Sequence, residues 1–148
     1  MAAEGGARPD PIEIQNLLSG SQAGSGEQAV CDTIDRFRQA VERRDVDGLS
    51  GVVAHDGGIV FYGSQAGDKQ VGWEAVRRSF EEQFAEVDDL GAEVLESAVS
   101  VVGDLAWAAY DLRYHEAGAG SFDTRWTCVL RRYHDGWKFV HMHHSLGR

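Results

Sequence analysis

The chain has 148 residues, 43% of them hydrophobic, and carries a net charge of −10 with a pI of about 4.9. A chain of this size forms one domain and builds its core without disulfide or metal staples. Its acidity argues against nucleic acid or an anionic membrane surface as a partner, since both need clustered Lys and Arg.

Residues 1–26 are rich in Gly, Ala and Ser and hold both prolines, Pro9 and Pro11. They bury too little to offset their ordering entropy and read as a flexible N-terminal arm. Ile12, Ile14, Leu17 and Leu18 mark a short helical patch within it. The folded domain is expected over 27–148. Ser25 and Gln28 have capping-box spacing. Val30, Ile34, Phe37 and Val41 then recur as one stripe of a helix. Asp45 is placed to cap a second, shorter helix that points Val46, Leu49 and Val53 inward. A short strand is expected over 59–63, then a polar loop to Gln70. Trp73, Val76, Phe80, Phe84 and Val87 keep helical period in a third helix. From Gly91 the period changes to two. Strands over 92–102 and 105–115 are joined at Gly103-Asp104, and two more flank Asp135-Gly136. Helices early and antiparallel strands late predict an α+β domain. The expected shape is a cone: a curved antiparallel sheet with three helices on one face.

Cys31 and Cys128 are too few for a disulfide framework and lack metal-knuckle spacing. No apolar run approaches a membrane span, and the N-terminus lacks signal-peptide features. A cytoplasmic location with free thiols is therefore expected.

Taking Asp135 and Gly136 as the two turn residues pairs Leu130 with His141, Cys128 with His143 and Trp126 with Ser145. Directly opposed residues share a face. That count turns Trp126, Cys128, Leu130, Trp137, Phe139, His141 and His143 toward the helices and leaves His144 outside. A single bulge would invert the outer part of the pairing.

The segment from Gly136 to Ser145, GWKFVHMHHS, carries a family likeness. Val71-Gly72 before the third helix, Gly103-Asp104 before a strand and Arg43-Arg44-Asp45 between the first two helices support it. Together they resemble the nuclear transport factor 2-like superfamily. Within it they resemble the SnoaL-like group that contains the association domain of calcium/calmodulin-dependent protein kinase II. The resemblance implies a pocket between sheet and helices, and homodimers or larger rings packed through the outer sheet face. The kinase-type domain has arginines at about the places of Cys128 and Leu112, and their absence here argues against an anion pocket of that kind.

His143 and His141 are the candidate proton shuttles, because imidazoles titrate near neutral pH. Tyr110 is the candidate donor to an oxyanion. It is expected to face the pocket in preference to Asp111. Tyr62, Trp73, Trp126 and Cys128 are candidate substrate contacts. Cys128 opposite His143 also has the makings of a thiolate–imidazole pair, and with His141 of a three-ligand zinc site. Plain core packing accounts for these residues at least as well, and neither metal nor cofactor is expected. Two functions stay open at this point. One is a small-molecule-binding domain acting as a cofactor-free acid–base isomerase, cyclase or dehydratase on a carbonyl-bearing or polycyclic substrate. The other is a non-catalytic homo-oligomerisation or ligand-sensing module.

Overall fold

The stripe Val30, Ile34, Phe37 and Val41 is buried along one face of helix α1, Ser25–Glu42. The structure, a computed structural model, describes residues 24–146. The expected patch at Ile12, Ile14, Leu17 and Leu18 lies outside them. Helix α1 is capped one residue earlier than expected. Gly24 is its N-cap, and its N–H donates to the Glu27 carboxylate at 2.7 Å. Arg44, at φ 53°, turns the chain out of the helix. The Asp45 carboxylate then accepts the Gly48 N–H at 3.0 Å and caps helix α2, Val46–Val52. Caps of this kind stabilise by about 1 kcal/mol. Helix α3, Trp73–Ala85, buries Trp73, Val76 and Phe80.

Six strands follow the order β2-β1-β6-β5-β4-β3. They are β1 (Val60–Tyr62), β2 (Lys69–Val71), β3 (Leu90–Val102), β4 (Leu105–Glu116), β5 (Gly120–Tyr133) and β6 (Gly136–Leu146). The cone architecture is as expected: three helices on one face of a curved, unclosed sheet. Two details differ. Strand β2 lies at the end of the segment read as polar loop, and pairs antiparallel with β1. Strand β1 joins β6 in parallel, so the sheet is mostly rather than wholly antiparallel. The core fills the space between α1, α2, α3 and the inner sheet face. Phe37, Leu49, Ile59, Leu112, Trp126, Leu130, Phe139 and Met142 are sealed there.

The last hairpin corrects the expected register. Tyr133 pairs with Gly136, so His134 and Asp135 are the turn residues. Pairing then runs Arg132 with Trp137 and Leu130 with Phe139. This two-residue shift keeps Trp137 and Phe139 inward, as expected. Between Val129 and Leu130 the register slips, leaving Val140 unpaired opposite them. That extra residue inverts everything beyond it, because side chains alternate along a strand. Val129 now faces His141, Cys128 faces Met142, Thr127 faces His143 and Trp126 faces His144. Met142 and His144 point inward. His141 and His143 point out.

Candidate active site

An open cavity of about 640 Å³ lies between the end of α3, the β1–β2 loop and the ends of β4, β5 and β6. Its apolar wall is Phe61, Phe80, Phe84, Val87, Leu90, Tyr114, Phe122 and Leu146. Its polar groups include Asp68, Gln70, Gln83, Glu82, Glu86, Glu116 and His144.

His144 is the group whose environment is most altered. The Val140 bulge delivers its ring to the inner face, edge-on to Trp126 at 4.5 Å and to Phe61 at 5.6 Å. Its Nδ1 is sealed from solvent and has no hydrogen-bond partner among the described residues. Burial pushes the imidazole down to about 4, because the apolar wall disfavours its charged form. The Asp68 carboxylate draws it part of the way back, and His143 lowers it slightly further. His144 is therefore neutral at physiological pH. Asp68 is held in the β1–β2 loop, where it accepts the Gln65 N–H at 3.2 Å.

Tyr114 is the second titratable group that burial alters on this wall. It is buried on the cavity wall against Phe122, at 5.3 Å between ring centres. Burial raises its phenol far above the ordinary value, so it stays protonated and able to donate. Its hydroxyl has no hydrogen-bond partner among the described residues, whereas that of Thr124 is occupied. Thr124 Oγ1 donates to the Leu112 carbonyl at 2.9 Å and accepts the Trp126 Nε1–H at 2.8 Å. That relay locks Trp126 beneath His144.

The seven residues singled out from the sequence are scattered. Tyr110 faces inward as expected, in preference to Asp111, but it lies in the core below the cavity. It stacks on Trp126 at 6.0 Å with its ring nearly parallel, and accepts a weak hydrogen bond from the Cys128 thiol at 3.7 Å. Cys128 is fully buried, and burial pushes its thiol up to about 12. Cys128 and the His143 ring lie on opposite faces of the sheet and the thiol stays protonated, so they form no thiolate–imidazole pair and Cys128 fills its strand position as a buried core side chain. The three zinc candidates likewise split between two faces. Among the described residues no group of three or more His, Cys, Asp or Glu is set to hold a metal. Trp126 supports the site from behind His144. Trp73 is buried away from the cavity, stacked on His55 at 4.9 Å. Tyr62 is 40% exposed on the outer sheet face beside His141 and His143, with ring centres at 6.2 and 5.6 Å. None of these three lines the cavity.

Sequence reasoning missed Tyr114 and Asp68 and turned His144 the wrong way. Tyr114 was within reach, since it shares a strand face with Tyr110 and Leu112 by simple alternation. Asp68 had no periodic signal, being placed by the short β1–β2 turn.

The outer sheet face carries a second feature. Val102, Leu105 and Trp107 are 74%, 52% and 39% exposed, in a row around the β3–β4 turn. No helix of the described residues is long and apolar enough to cross a membrane.

A family model described as the SnoaL-like domain matches residues 30–148. No functionally curated protein matches the chain. Among solved structures, an NTF2-like protein of unknown function from Pseudomonas putida KT2440 is 25% identical with a TM-score of 0.75. That match covers 83% of this chain and 87% of the other. A protein from Novosphingobium aromaticivorans, whose name proposes an aromatic ring hydroxylase, is 24% identical with a TM-score of 0.76, covering 86% and 93%. An NTF2-like protein from Streptomyces avermitilis, whose name proposes a dehydratase, is 23% identical with a TM-score of 0.73, covering 82% and 95%. The last two likenesses speak to fold alone.

Proposed function

Since the chain belongs to the SnoaL-like domain family of the NTF2-like superfamily, we propose that its open cavity binds a small organic molecule and moves a proton on it. The carrying observation is His144, a neutral imidazole on the cavity wall whose Nδ1 is sealed behind the ring without a partner among the described residues. Leaving such a nitrogen unpaired costs about 1–3 kcal/mol, a cost expected at a working site rather than in a plain core. The assigned chemistry is cofactor-free. His144 takes a proton from carbon next to a carbonyl, and the Tyr114 phenol donates a hydrogen bond to the oxygen that gains charge. Asp68 steadies the imidazolium as it forms. Isomerase, cyclase or dehydratase reactions on a carbonyl-bearing or polycyclic substrate all use this step.

The probe for this reading is 2-tetralone, a bicyclic ketone with exchangeable α-protons. Its exchange in D₂O is followed by proton NMR. The protein is expected to accelerate exchange over buffer by about 100-fold or more. His144→Phe is expected to abolish that acceleration, and Tyr114→Phe to reduce it. Exchange at the buffer rate, or unchanged in His144→Phe, overturns the assignment.

The outer face supports a second role, self-association. Val102, Leu105 and Trp107 form an apolar edge of the kind that a second copy of a cone domain covers. The protein is expected to sediment as a dimer or larger, and Leu105→Glu with Trp107→Glu to yield monomers of unchanged fold. A wild-type monomer at high micromolar concentration rejects this role without touching the first.

A further inference from the structure

The cavity's charge has a sign. Among the described residues its lining includes four carboxylates, Asp68, Glu82, Glu86 and Glu116, and neither lysine nor arginine. Elsewhere on this surface several carboxylates have cationic partners. Asp35 meets Arg38 at 2.8 Å, Asp123 meets Arg113 at 2.7 Å, Asp104 meets Arg132 at 2.6 Å, and Asp135 meets Lys138 at 3.1 Å. Glu82, Glu86 and Glu116 have no ion-pair partner among the described residues. Arg44 and Lys69 are engaged elsewhere. Arg44 donates to the backbone carbonyl of Val87 but does not itself line the cavity. Lys69 lies over the Tyr62 ring, 5.6 Å from its centre, on the outer face.

We infer that the cavity selects a cationic ligand, with a ring-bearing apolar body and a protonated amine. This rests on the reading of the cavity as a ligand site and adds the substrate's charge. Two independent features of the wall agree. Phe61, Phe80, Phe84, Tyr114 and Phe122 give an aromatic interior that takes an apolar ring, and aromatic walls of this kind also favour a cation over an anion. The carboxylates line a concave opening, where charge of one sign focuses the field and concentrates counter-ions. An anionic ligand of the same size meets that field as repulsion. Among the described residues, a free carboxylate or phosphate group on the ligand also finds no cationic side chain in the wall.

The test uses three probes with one ring system: 1-naphthylmethylamine, 1-naphthylmethanol and 1-naphthylacetate. Binding is measured by titration calorimetry at pH 7 and low salt. The ammonium is expected to bind about tenfold or more tighter than the acetate, with the alcohol between them. Raising the salt is expected to narrow the gap. The variant Glu82→Gln/Glu86→Gln/Glu116→Gln, which keeps only Asp68, is expected to bring ammonium affinity most of the way down to that of the alcohol and to leave the alcohol unchanged. His144→Phe is expected to keep the ammonium preference, because it removes no carboxylate. Equal or tighter binding of the acetate overturns the inference, as does a preference left undiminished by the triple variant. If the alcohol binds and no charge preference appears, this inference alone fails. If none of the three binds, the ligand-site reading fails and the charge selection falls with it.

Discussion

Replacing Trp126 with alanine is expected to lower the unfolding free energy by about 3–5 kcal/mol, the range for deleting a large aromatic from a packed core. Trp126 is 2% exposed, and its ring meets Phe37 at 5.4 Å, Phe61 at 5.8 Å, Tyr110 at 6.0 Å and His144 at 4.5 Å. These neighbours come from α1, β1, β4 and β6, so no single element can collapse to fill the space. The lost indole hydrogen bond is the smaller part, since Thr124 keeps its bond to the Leu112 carbonyl. Against a total stability of about 5–15 kcal/mol, the loss is a large fraction. Urea denaturation at neutral pH reads it as a lower midpoint at unchanged slope. Trp126→Phe is expected to cost clearly less, because it keeps a ring in the cluster. A midpoint for Trp126→Ala close to wild type would show that the cluster is not the centre of the core.

The second expected result is a fall in stability of about 3 kcal/mol between pH 6.5 and pH 4 that is traceable to His144 alone. The sign follows from where the proton is bound. In the folded chain His144 is neutral down to about pH 4, against an ordinary value of 6.5. Between those values the unfolded chain holds the proton and the folded chain does not, so acid favours unfolding. Above pH 6.5 both forms are neutral and the contribution is level. Below about pH 4 both are protonated and the full loss has been taken. His144→Phe removes the step, and the difference between its urea midpoints and those of wild type across this range isolates it. Asp35, Asp123 and Asp135 are also held below their ordinary values, chiefly by Arg38, Arg113 and Lys138. Their effect lies at lower pH, and solvent screens it because they are exposed. It is also common to both proteins and drops out of the comparison. A difference that stays flat from pH 7 to pH 4 would mean that the imidazole is not desolvated.

The helices and the meander were legible because their signals are local. The stripe of Val30, Ile34, Phe37 and Val41, the Asp45 cap and the Gly103-Asp104 turn each depend on neighbours within a few residues. The edge of the sheet was not. Lys69, Gln70 and Val71 form a strand because β1 lies beside them, and three residues carry no period of their own. The Val140 bulge decides the site and leaves no mark in the sequence, since valine suits a regular strand as well as a bulged one. Counting outward from the wrong turn was harmless by itself, because a shift of two preserves the faces. The bulge then reversed the outer half, which is where the histidines lie. The pocket between sheet and helices is what the family resemblance implies, whereas the inward turn of His144 depends on one unpaired residue.

The parallel junction of β1 with β6 also bears on the order in which the molecule assembles. The meander β3–β4–β5–β6 zips through short turns, each closed at small entropic cost. Pairing Tyr62 with His143 instead closes about 80 residues, a chain-entropy cost of about 4 kcal/mol. That seam gains little until the intervening meander has brought β6 into place. One wall of the cavity, with Phe61 and Asp68, hangs from this late seam, while His144 and Tyr114 belong to the early meander. The two halves of the site are thus expected to form at different stages of folding.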